Sequence, residues 1–348
     1  MVRTKSKEAQ IARMQESAVD DWLSTGCTLL DLAISNRLGG IPAGRSTHIY
    51  GWESTAKSVL AQEPLGAAQR KGGHVWYLDA EQTLDFGRAK NLFGLDVDAD
   101  TFHYAVPETI EELFDGSQVN KTYKWGIYDI IEYVRDNELR GPHVVAVDSL
   151  TALKTQVESE QKLTDGTYGT SRAKQISTAF RKYLHDLHKN NIALLVINQA
   201  RVNISAGVFG DKMTVSGGKA LDFYASVSIA MKMVEQLKNS TKQTIGCRFR
   251  FEVKKNKVAP PHRKGEFRLL FDHGIDNVAT NLEWLKGVHG WSNYRFGDFS
   301  TKQGGPQSLE KAVSYIEEND LELALEEEVE RTWHEIFQPP QRKPRVRR

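Results

Sequence analysis

The feature that most constrains the fold is an apolar strand pattern that runs directly into a loop ending in Lys-Ser. Residues 46–51 (STHIYG) have the composition of a buried strand, residues 51–58 (GWESTAKS) follow as a tight loop, and a helical pattern comes next. This is the layout of a P-loop, in which backbone amides cradle phosphates, the lysine neutralises phosphate charge and the hydroxyl binds Mg²⁺. The segment therefore predicts a phosphate site in an α/β fold.

One position of this loop departs from the P-loop pattern. Ala56 stands where glycine is expected. Because its methyl group penalises positive φ, we expect the alanine to be tolerated if the position is helical and to weaken nucleotide binding if it is not. Pro64 falls inside the following helix and predicts a kink. The residues assigned to the phosphates share this loop and helix start: Gly51, Glu53, Ser54, Thr55, Ala56, Lys57, Ser58 and Val59.

A second apolar strand supplies the carboxylate that a phosphate site needs. Residues 143–149 (HVVAVDS) end in Asp148 and Ser149. We expect Asp148 to hold Mg²⁺ through water while Ser58 binds the ion directly. Each motif alone has a non-functional explanation. The first could be a loop that contains Lys-Ser by chance, and the second could be a buried strand that happens to end in Asp. Together they predict a P-loop NTPase.

The rest of the chain alternates strand and helix patterns, which indicates a mostly parallel α/β sheet. The predicted strands are residues 46–51, 74–79, 143–148, 193–198 and 225–233, with a hairpin extension at 247–256 and 266–272. The predicted helices include residues 109–114, 128–136 and 171–189. Four units are expected: a short N-terminal helical segment used in oligomerisation (1–23), the ATPase core (24–275), a small C-terminal α/β domain (276–337) and a basic disordered tail (338–348).

Composition indicates in which cellular compartment the protein works and what kind of surface could bind DNA. With 46 basic and 45 acidic side chains the net charge is +1, so a nucleic-acid surface would have to be local. Cys27 and Cys247 are the two cysteines and lie far apart without a metal-binding pattern. No run approaches the ~20 apolar residues that cross a bilayer. We therefore expect a cytoplasmic protein without a membrane partner.

Several segments beyond the two motifs give the chain a resemblance to the RecA recombinase family. The chain resembles this family over residues 24–34, 51–58, 76–85, 144–153, 195–204, 216–227 and 253–261. The resemblance implies a RecA-like core that uses ATP and Mg²⁺. It also implies a helical homo-oligomer on single-stranded DNA that pairs this strand with a homologous duplex and exchanges strands. Departures such as Ala56 indicate a divergent member, and a bacteriophage-encoded one is a hypothesis.

The resemblance also assigns roles around the nucleotide. Glu81 matches the catalytic carboxylate, Gln199 the γ-phosphate sensor, and Lys57 adds its charge to catalysis. Asp85 and Arg88 match nucleotide contacts, and Arg88 stands where the family usually has a tyrosine at the adenine ring. The remaining pair, Lys255 and Lys257, matches lysines that reach the ATP of the adjacent subunit. Two lysines two residues apart on a strand would face the same side.

The same resemblance places DNA contacts in two segments. The first contributes Tyr168, Lys174, Ser177 and Arg181, and the second contributes Arg201, Ile204, Ser216, Gly217, Gly218 and Lys219. Phosphate contacts from these residues would need no sequence preference. Five basic residues near the C-terminus should add salt-dependent attraction to DNA: Arg342, Lys343, Arg345, Arg347 and Arg348.

Two hypotheses stay open from the sequence. The first is a DNA-dependent ATPase that catalyses homologous pairing and strand exchange, supported by the intact Lys57, Glu81, Asp148 and Gln199. The second is a filament-forming, nucleotide-dependent DNA scaffold with weak or no hydrolysis, which Ala56 favours. A helicase or clock-type ATPase with the same core lacks support, because those families would not show this Lys-Asn-Lys arrangement.

Overall fold

The computed structural model describes residues 19–160, 169–202, 213–215, 219–296 and 308–338. The strands are β1 (Trp22–Leu23), β2 (Ile41–Pro42), β3 (Ser46–Gly51), β4 (Val75–Asp79), β5 (Phe102–Ala105), β6 (His143–Asp148), β7 (Ile192–Val202), β8 (Met213–Val215), β9 (Val227–Lys238), β10 (Thr244–Asn256), β11 (Lys264–Leu270) and β12 (Gly274–Asp276). The α-helices are α1 (Thr28–Ser35), α2 (Lys57–Arg70), α3 (Phe86–Phe93), α4 (Ile110–Asp115), α5 (Ile127–Asp136), α6 (Gln156–Glu160), α7 (Gly169–Lys189), α8 (Lys219–Tyr224), α9 (Asn277–His289), α10 (Leu309–Glu318) and α11 (Glu322–Ile336).

One large sheet organises the described chain. Its strand order is β12-β11-β10-β9-β3-β7-β6-β4-β5, with β8 paired to β7. From β5 to β9 the neighbours along this order are parallel, and from β9 to β12 they are antiparallel. The predicted parallel α/β core and its hairpin extension are both confirmed.

Burial on both faces explains why the central strands are apolar throughout. Every residue of β4 and β6 is buried. Side chains alternate between faces, so Trp76 and Leu78 pack into one hydrophobic cluster with Ile130 of α5, whereas Tyr77 packs into another with Leu60 of α2. Helices therefore cover both faces, as a parallel sheet requires.

The predicted segments at the two ends are described only in part. Of the segment expected to be helical up to residue 23, the described end is not a helix, because Trp22 and Leu23 form β1 and pair with β2. The described residues after Asp276 form three helices without a strand, α9 to α11. Their side chains Leu282 and Ile316 join the same cluster as α1 and β10. The domain boundaries stay a prediction, and residues 339–348 lie outside the described residues.

The expected kink at Pro64 does not interrupt its helix. Helix α2 runs unbroken from Lys57 to Arg70 with Pro64 inside it, and the proline is buried. Since proline has no N–H, it cannot donate the hydrogen bond that the Leu60 carbonyl would otherwise accept. Packing of α2 against the sheet stabilises the helix despite that missing bond.

Three histidines meet at the amino-terminal edge of the parallel strands. His74 Nδ1 lies 3.1 Å from His103 Nε2, and the His74 backbone N–H donates to His143 Nδ1 at 2.9 Å. The ring of Trp76 stacks on His103 with centroids 4.9 Å apart. Burial, reinforced by the nearby His74, lowers the pKa of both His103 and His143 to about 4.

This cluster predicts acid sensitivity of the fold. The unfolded chain protonates histidine near pH 6.5, above the folded pKa values, so stability is fully present above pH 6.5 and is lost as pH falls toward 4. Replacing the buried His143 by glutamine should reduce this slope by up to about 1.4 kcal/mol per pH unit. The measurement is the free energy of unfolding in urea at pH 4.5 to 7.5. His289→Gln, at the exposed end of α9, is the control that leaves the cluster intact, and an unchanged slope in the His143 variant would contradict the assignment.

Candidate nucleotide and DNA site

Strand register brings the predicted nucleotide residues to one edge of the sheet. Gly51, the last residue of β3, pairs with Gln199 of β7 and with Met231 of β9. Asp79 at the end of β4 pairs with Asp148 at the end of β6. Because these strands are parallel, their carboxyl ends meet at the same edge, which is where α/β sheets bind ligands.

The phosphate loop leaves this edge through a position that admits only glycine. A Cβ on Gly51 would lie 2.5 Å from the Met231 carbonyl oxygen and 2.8 Å from Thr55 Oγ1. Thr55 Oγ1 donates to the Trp52 carbonyl at 2.8 Å, and Lys57 Nζ donates to the same carbonyl at 2.7 Å. The loop is thus closed on itself, with the Lys57 ammonium on its own backbone.

Ala56 occupies the backbone conformation that the sequence left open. It caps the amino end of α2 with φ 60° and ψ 21°, in the left-handed region, so it is not helical. For a residue with a Cβ this conformation costs on the order of 1 kcal/mol. The condition under which the alanine would be harmless is therefore not met, and the loop carries strain at this residue.

Lys57 is surrounded by carboxylates although it is buried. Lys57 is the first residue of α2, and it is 8% exposed. Burial lowers the pKa of Lys57, and the negative charges of Asp148, Glu81 and Glu53 oppose that shift. The ammonium is therefore the central cation of this edge, as an anionic phosphate requires.

Asp148 is a buried carboxylate held by a phenol. Tyr77 Oη donates to Asp148 Oδ2 at 2.7 Å. Burial raises the pKa of Asp148, while hydrogen bonds from Ser58 and Tyr77 oppose the shift. Ser58 and Asp148 thus adjoin each other and offer oxygen ligands, which suits Mg²⁺. Among the residues the structure describes, no group of three or more His, Cys, Asp and Glu side chains could hold a metal by itself.

Glu81 is fixed by groups from two neighbouring strands, β6 and β7. Ser149 Oγ donates to Glu81 Oε1, Gln199 Nε2 donates to the same oxygen at 3.3 Å, and the Glu81 backbone N–H donates to the Asp148 carbonyl at 3.3 Å. The predicted catalytic carboxylate and the predicted sensor amide are therefore in direct contact. Glu81 and Gln199 are each partly exposed at this edge.

Asp79 shapes the turn that carries Glu81. Its Oδ2 accepts from the backbone N–H groups of Thr83 and Leu84, both at 2.9 Å, and from Tyr104 Oη at 3.2 Å. These bonds stabilise the chain reversal after β4, so Glu81 points back toward the ends of β6 and β7.

The two residues matched to the base lie on the exposed start of α3. The Asp85 side chain caps this helix by accepting from the Arg88 backbone N–H at 3.0 Å. Arg88 Nη2 donates to the Phe271 carbonyl at 3.2 Å. The guanidinium is thereby held next to the end of β11, and the Phe271 ring is 42% exposed.

Lys255 and Lys257 lie away from the phosphate loop of their own chain. Lys255 pairs with Ser228, which pairs with His48, three residues before Gly51 and about 10 Å along the strand. Strand β10 ends at Asn256, whose Oδ1 accepts from the N–H groups of Val258 and Ala259, and the Lys257 N–H still donates to the Ser226 carbonyl at 2.9 Å. That both lysines face one side stays a prediction. Burial and then the charge of Lys257 lower the pKa of Lys255.

The described DNA candidates line up on α7 and at the end of β7. Lys174, Ser177 and Arg181 follow a helical repeat on one face of α7, with Lys174 and Arg181 exposed. Arg181 Nε donates to the Ser177 carbonyl at 3.3 Å. Arg201 is exposed near the end of β7. Lys219 begins α8, and Tyr168, Ile204, Ser216, Gly217 and Gly218 lie outside the described residues.

Comparison with known proteins agrees with this geometry. The model of the RecA N-terminal domain matches residues 5–276. The chain is similar to the protein RecA of a Nitratiruptor species, with 34% identity over 89% of this chain and 83% of that protein. It is also similar to the protein RecA of Roseiflexus castenholzii, with 33% identity over 94% of this chain and 86% of the relative.

The chain belongs to the RecA family. The protein RecA of Clostridium beijerinckii is another relative, with 35% identity over 88% of this chain and 78% of that protein. In the part of the chain that the structure describes, no helix is long and apolar enough to span a membrane.

Three contacts of this RecA-family site were missed by the sequence reasoning. Ser149 donates to Glu81, and Tyr77 donates to Asp148. Thr151 accepts from the backbone N–H of Gln199. Ser149 directly follows Asp148, so its place in the motif was a usable signal. Tyr77 alternates with Trp76 and Leu78 along β4, and a polar tip among apolar neighbours marks a side chain that needs a partner.

Relieving the strain at Ala56 should stabilise the protein. Ala56→Gly removes a left-handed penalty of about 1 kcal/mol, offset in part by about 0.4 kcal/mol or more for the greater freedom of glycine in the unfolded chain, for a net gain of up to about 0.6 kcal/mol. It also removes a methyl group from the phosphate cradle, so ATP should bind more tightly. Denaturant unfolding and ATP titration measure both effects.

The same substitution elsewhere in α2 is the control for this prediction. Ala61→Gly places glycine inside the helix, where it should cost about 1 kcal/mol. The two variants should therefore shift stability in opposite directions. A loss of stability in Ala56→Gly would show that this position does not need a left-handed backbone.

Proposed function

We propose that the protein is an ATP-dependent recombinase that forms helical filaments on single-stranded DNA and catalyses homologous pairing and strand exchange. The observation that carries this proposal is the convergence of Lys57, Glu81, Asp148 and Gln199 at one sheet edge, within a chain of the RecA family. The intact set favours a DNA-dependent ATPase over a scaffold without hydrolysis.

Hydrolysis follows from the positions of these side chains. Glu81 accepts hydrogen bonds from Ser149 and Gln199, so its carboxylate is oriented to position a water for in-line attack on the γ-phosphate. Lys57 donates to the Trp52 carbonyl and would donate to phosphate oxygens in its place when ATP binds. Ser58, and Asp148 through water, would hold Mg²⁺, which neutralises charge on the β- and γ-phosphates when bound.

ATP is proposed to lie between neighbouring protomers. Lys255 and Lys257 are too far along the sheet to reach the phosphate loop of their own chain, and within the described residues neither forms an ion pair with a carboxylate, unlike Lys254 and Lys264 nearby. A neighbouring protomer that presents them to the bound γ-phosphate would complete the charge compensation. Nucleotide binding and assembly would then stabilise each other.

The DNA strand is proposed to follow α7 and the ends of β7 and α8. The exposed cations Lys174, Arg181 and Arg201 supply phosphate contacts in the described part of this path. Tyr168, Ile204 and residues 216–219 are proposed from the family resemblance to complete it. Because such contacts bind the backbone, binding should tolerate any sequence and weaken as salt rises.

Electron microscopy and phosphate release test the proposal together. With single-stranded DNA, Mg²⁺ and a slowly hydrolysed ATP analogue, the protein should form regular helical filaments, and with ATP the DNA should stimulate phosphate release. Filaments without any release would favour the scaffold. Protein that stays monomeric and ignores oligonucleotides would overturn both hypotheses.

Mixed variants test whether each site is shared. Glu81→Gln and Lys255→Met should each stop turnover alone, because every interface lacks one group. In an equimolar mixture, about a quarter of the interfaces join the intact edge of one variant to the intact edge of the other, so about a quarter of wild-type release should return. Phosphate release against mixing ratio is the measurement.

The control mixture pairs variants that damage the same edge. Glu81→Gln mixed with Lys57→Ala leaves every nucleotide edge defective, so no activity should return at any ratio. Recovery in this mixture would show that Glu81 and Lys57 do not belong to the same nucleotide edge. No recovery in the Glu81→Gln and Lys255→Met mixture would place Glu81 and Lys255 in a site formed by one protomer.

A further inference from the structure

A fully buried histidine lies in the middle of β3, between the sensor strand and the helix that follows the second DNA segment. His48 is 0% exposed. Its Nε2 lies 3.3 Å from Asn198 Nδ2, next to Gln199 on β7. Its Nδ1 lies 3.3 Å from Asp222 Oδ1 on α8. The Tyr50 ring stacks on it with centroids 4.8 Å apart, which fixes the plane of the imidazole.

The hydrogen bonds on the sensor side run from Thr151 through Asn198 to His48. The Gln199 backbone N–H donates to Thr151 Oγ1 at 3.0 Å, so the Thr151 hydroxyl is free to donate to Asn198 Oδ1 at 2.9 Å. In this arrangement the Asn198 amide presents its NH₂ to His48. Nε2 of His48 is therefore the acceptor, and Nδ1 carries the proton that is donated to Asp222.

These bonds form one directed series from the γ-phosphate sensor to α8. Gln199 contacts Glu81 through its side chain and Thr151 through its backbone, so a change in the sensor acts on the first bond of the series. The last acceptor, Asp222, is half-exposed and lies three residues after the start of α8.

The opposite side of the same helix is held by Lys255. Its ammonium donates to the Asp222 carbonyl and, at 2.8 Å, to the Phe223 carbonyl. Asp222 therefore receives a bond at its side chain from His48 and a bond at its backbone from Lys255. If Lys255 turns to a neighbouring nucleotide, the end of α8 loses that bond. The His48 contact and the bond from Ser46 Oγ to the Tyr224 carbonyl, at 3.4 Å, still join the helix to β3.

We propose that His48 and Asp222 are positioning residues that couple the γ-phosphate sensor to α8 and so make DNA affinity depend on the nucleotide. This inference rests on the proposed function. The pair acts through hydrogen-bond direction, since an imidazole that accepts at one nitrogen and donates at the other transmits the orientation of the Asn198 amide to the Asp222 carboxylate.

The test measures coupling separately from nucleotide binding. His48→Phe fills the same space without ring nitrogens, and Asp222→Ala removes the acceptor. Each should lower the stimulation of ATP turnover by single-stranded DNA about five-fold or more, within the range of typical couplings. Each should reduce equally the gain in DNA affinity given by a slowly hydrolysed ATP analogue. KM for ATP without DNA should stay at the wild-type value.

Three further variants make the outcome specific. Asp222→Asn keeps an oxygen acceptor for Nδ1–H and should restore most of the stimulation. The double variant His48→Phe/Asp222→Ala should lose no more than either single variant, because both cut one series. His143→Gln changes another fully buried histidine of the sheet, remote from α8, and should keep wild-type stimulation.

Each result decides the matter. Wild-type stimulation in folded Asp222→Ala, or a double variant whose loss is the product of the single losses, would overturn the coupling. Asp222 is half-exposed, so its variants remain decisive if His48→Phe fails to fold. If the wild-type protein itself shows no stimulation by DNA, the proposed function fails, and this inference fails with it.

Discussion

The close passage of Gly51 between two strands is the constraint on which the nucleotide edge depends. Its backbone lies between Gln199 of β7 and Met231 of β9, and a single added carbon would lie 2.5 Å from the Met231 carbonyl oxygen. A larger residue would force β9 away from β3. That shift would displace the loop leading to Lys57, and it would also displace α8 and β10, which adjoin β9 on either side along the chain.

Local patterns were sufficient for the parts of the fold that are buried throughout. Strand β6 and the loop that ends at Lys57 could be predicted because continuous apolar burial and phosphate binding each demand residues that are adjacent in sequence. Strand β5 could not be predicted, because Phe102–Ala105 is short and half-buried at the sheet edge. The conformation of Ala56 was also beyond the sequence, since the loop closure that imposes a positive φ involves the Trp52 carbonyl.

The candidate site also contains residues that the sequence predicts and residues that only the tertiary structure identifies. Glu81 and Gln199 were assigned from family motifs, but the groups that orient them come from elements distant in sequence, as with Ser149 beside Glu81. His48 carried no motif at all, and its role depends on what β7 and α8 place at its two nitrogens.

The antiparallel run of β10 has a consequence for symmetry. Because β10 reverses direction beside β9, Lys255 lies level with His48, about 10 Å along the strand from Gly51. One protomer therefore bears the unlike halves of the proposed phosphate site at two separate positions, or poles. A two-fold axis would place the Gly51 pole of one protomer against the Gly51 pole of the other, or Lys255 against Lys255. Neither contact would complete the proposed phosphate site. Only a heterologous contact joins unlike poles, and repeating that contact closes a ring or generates an open helix. The polarity of a single strand thus sets which point groups are open to the assembled protein.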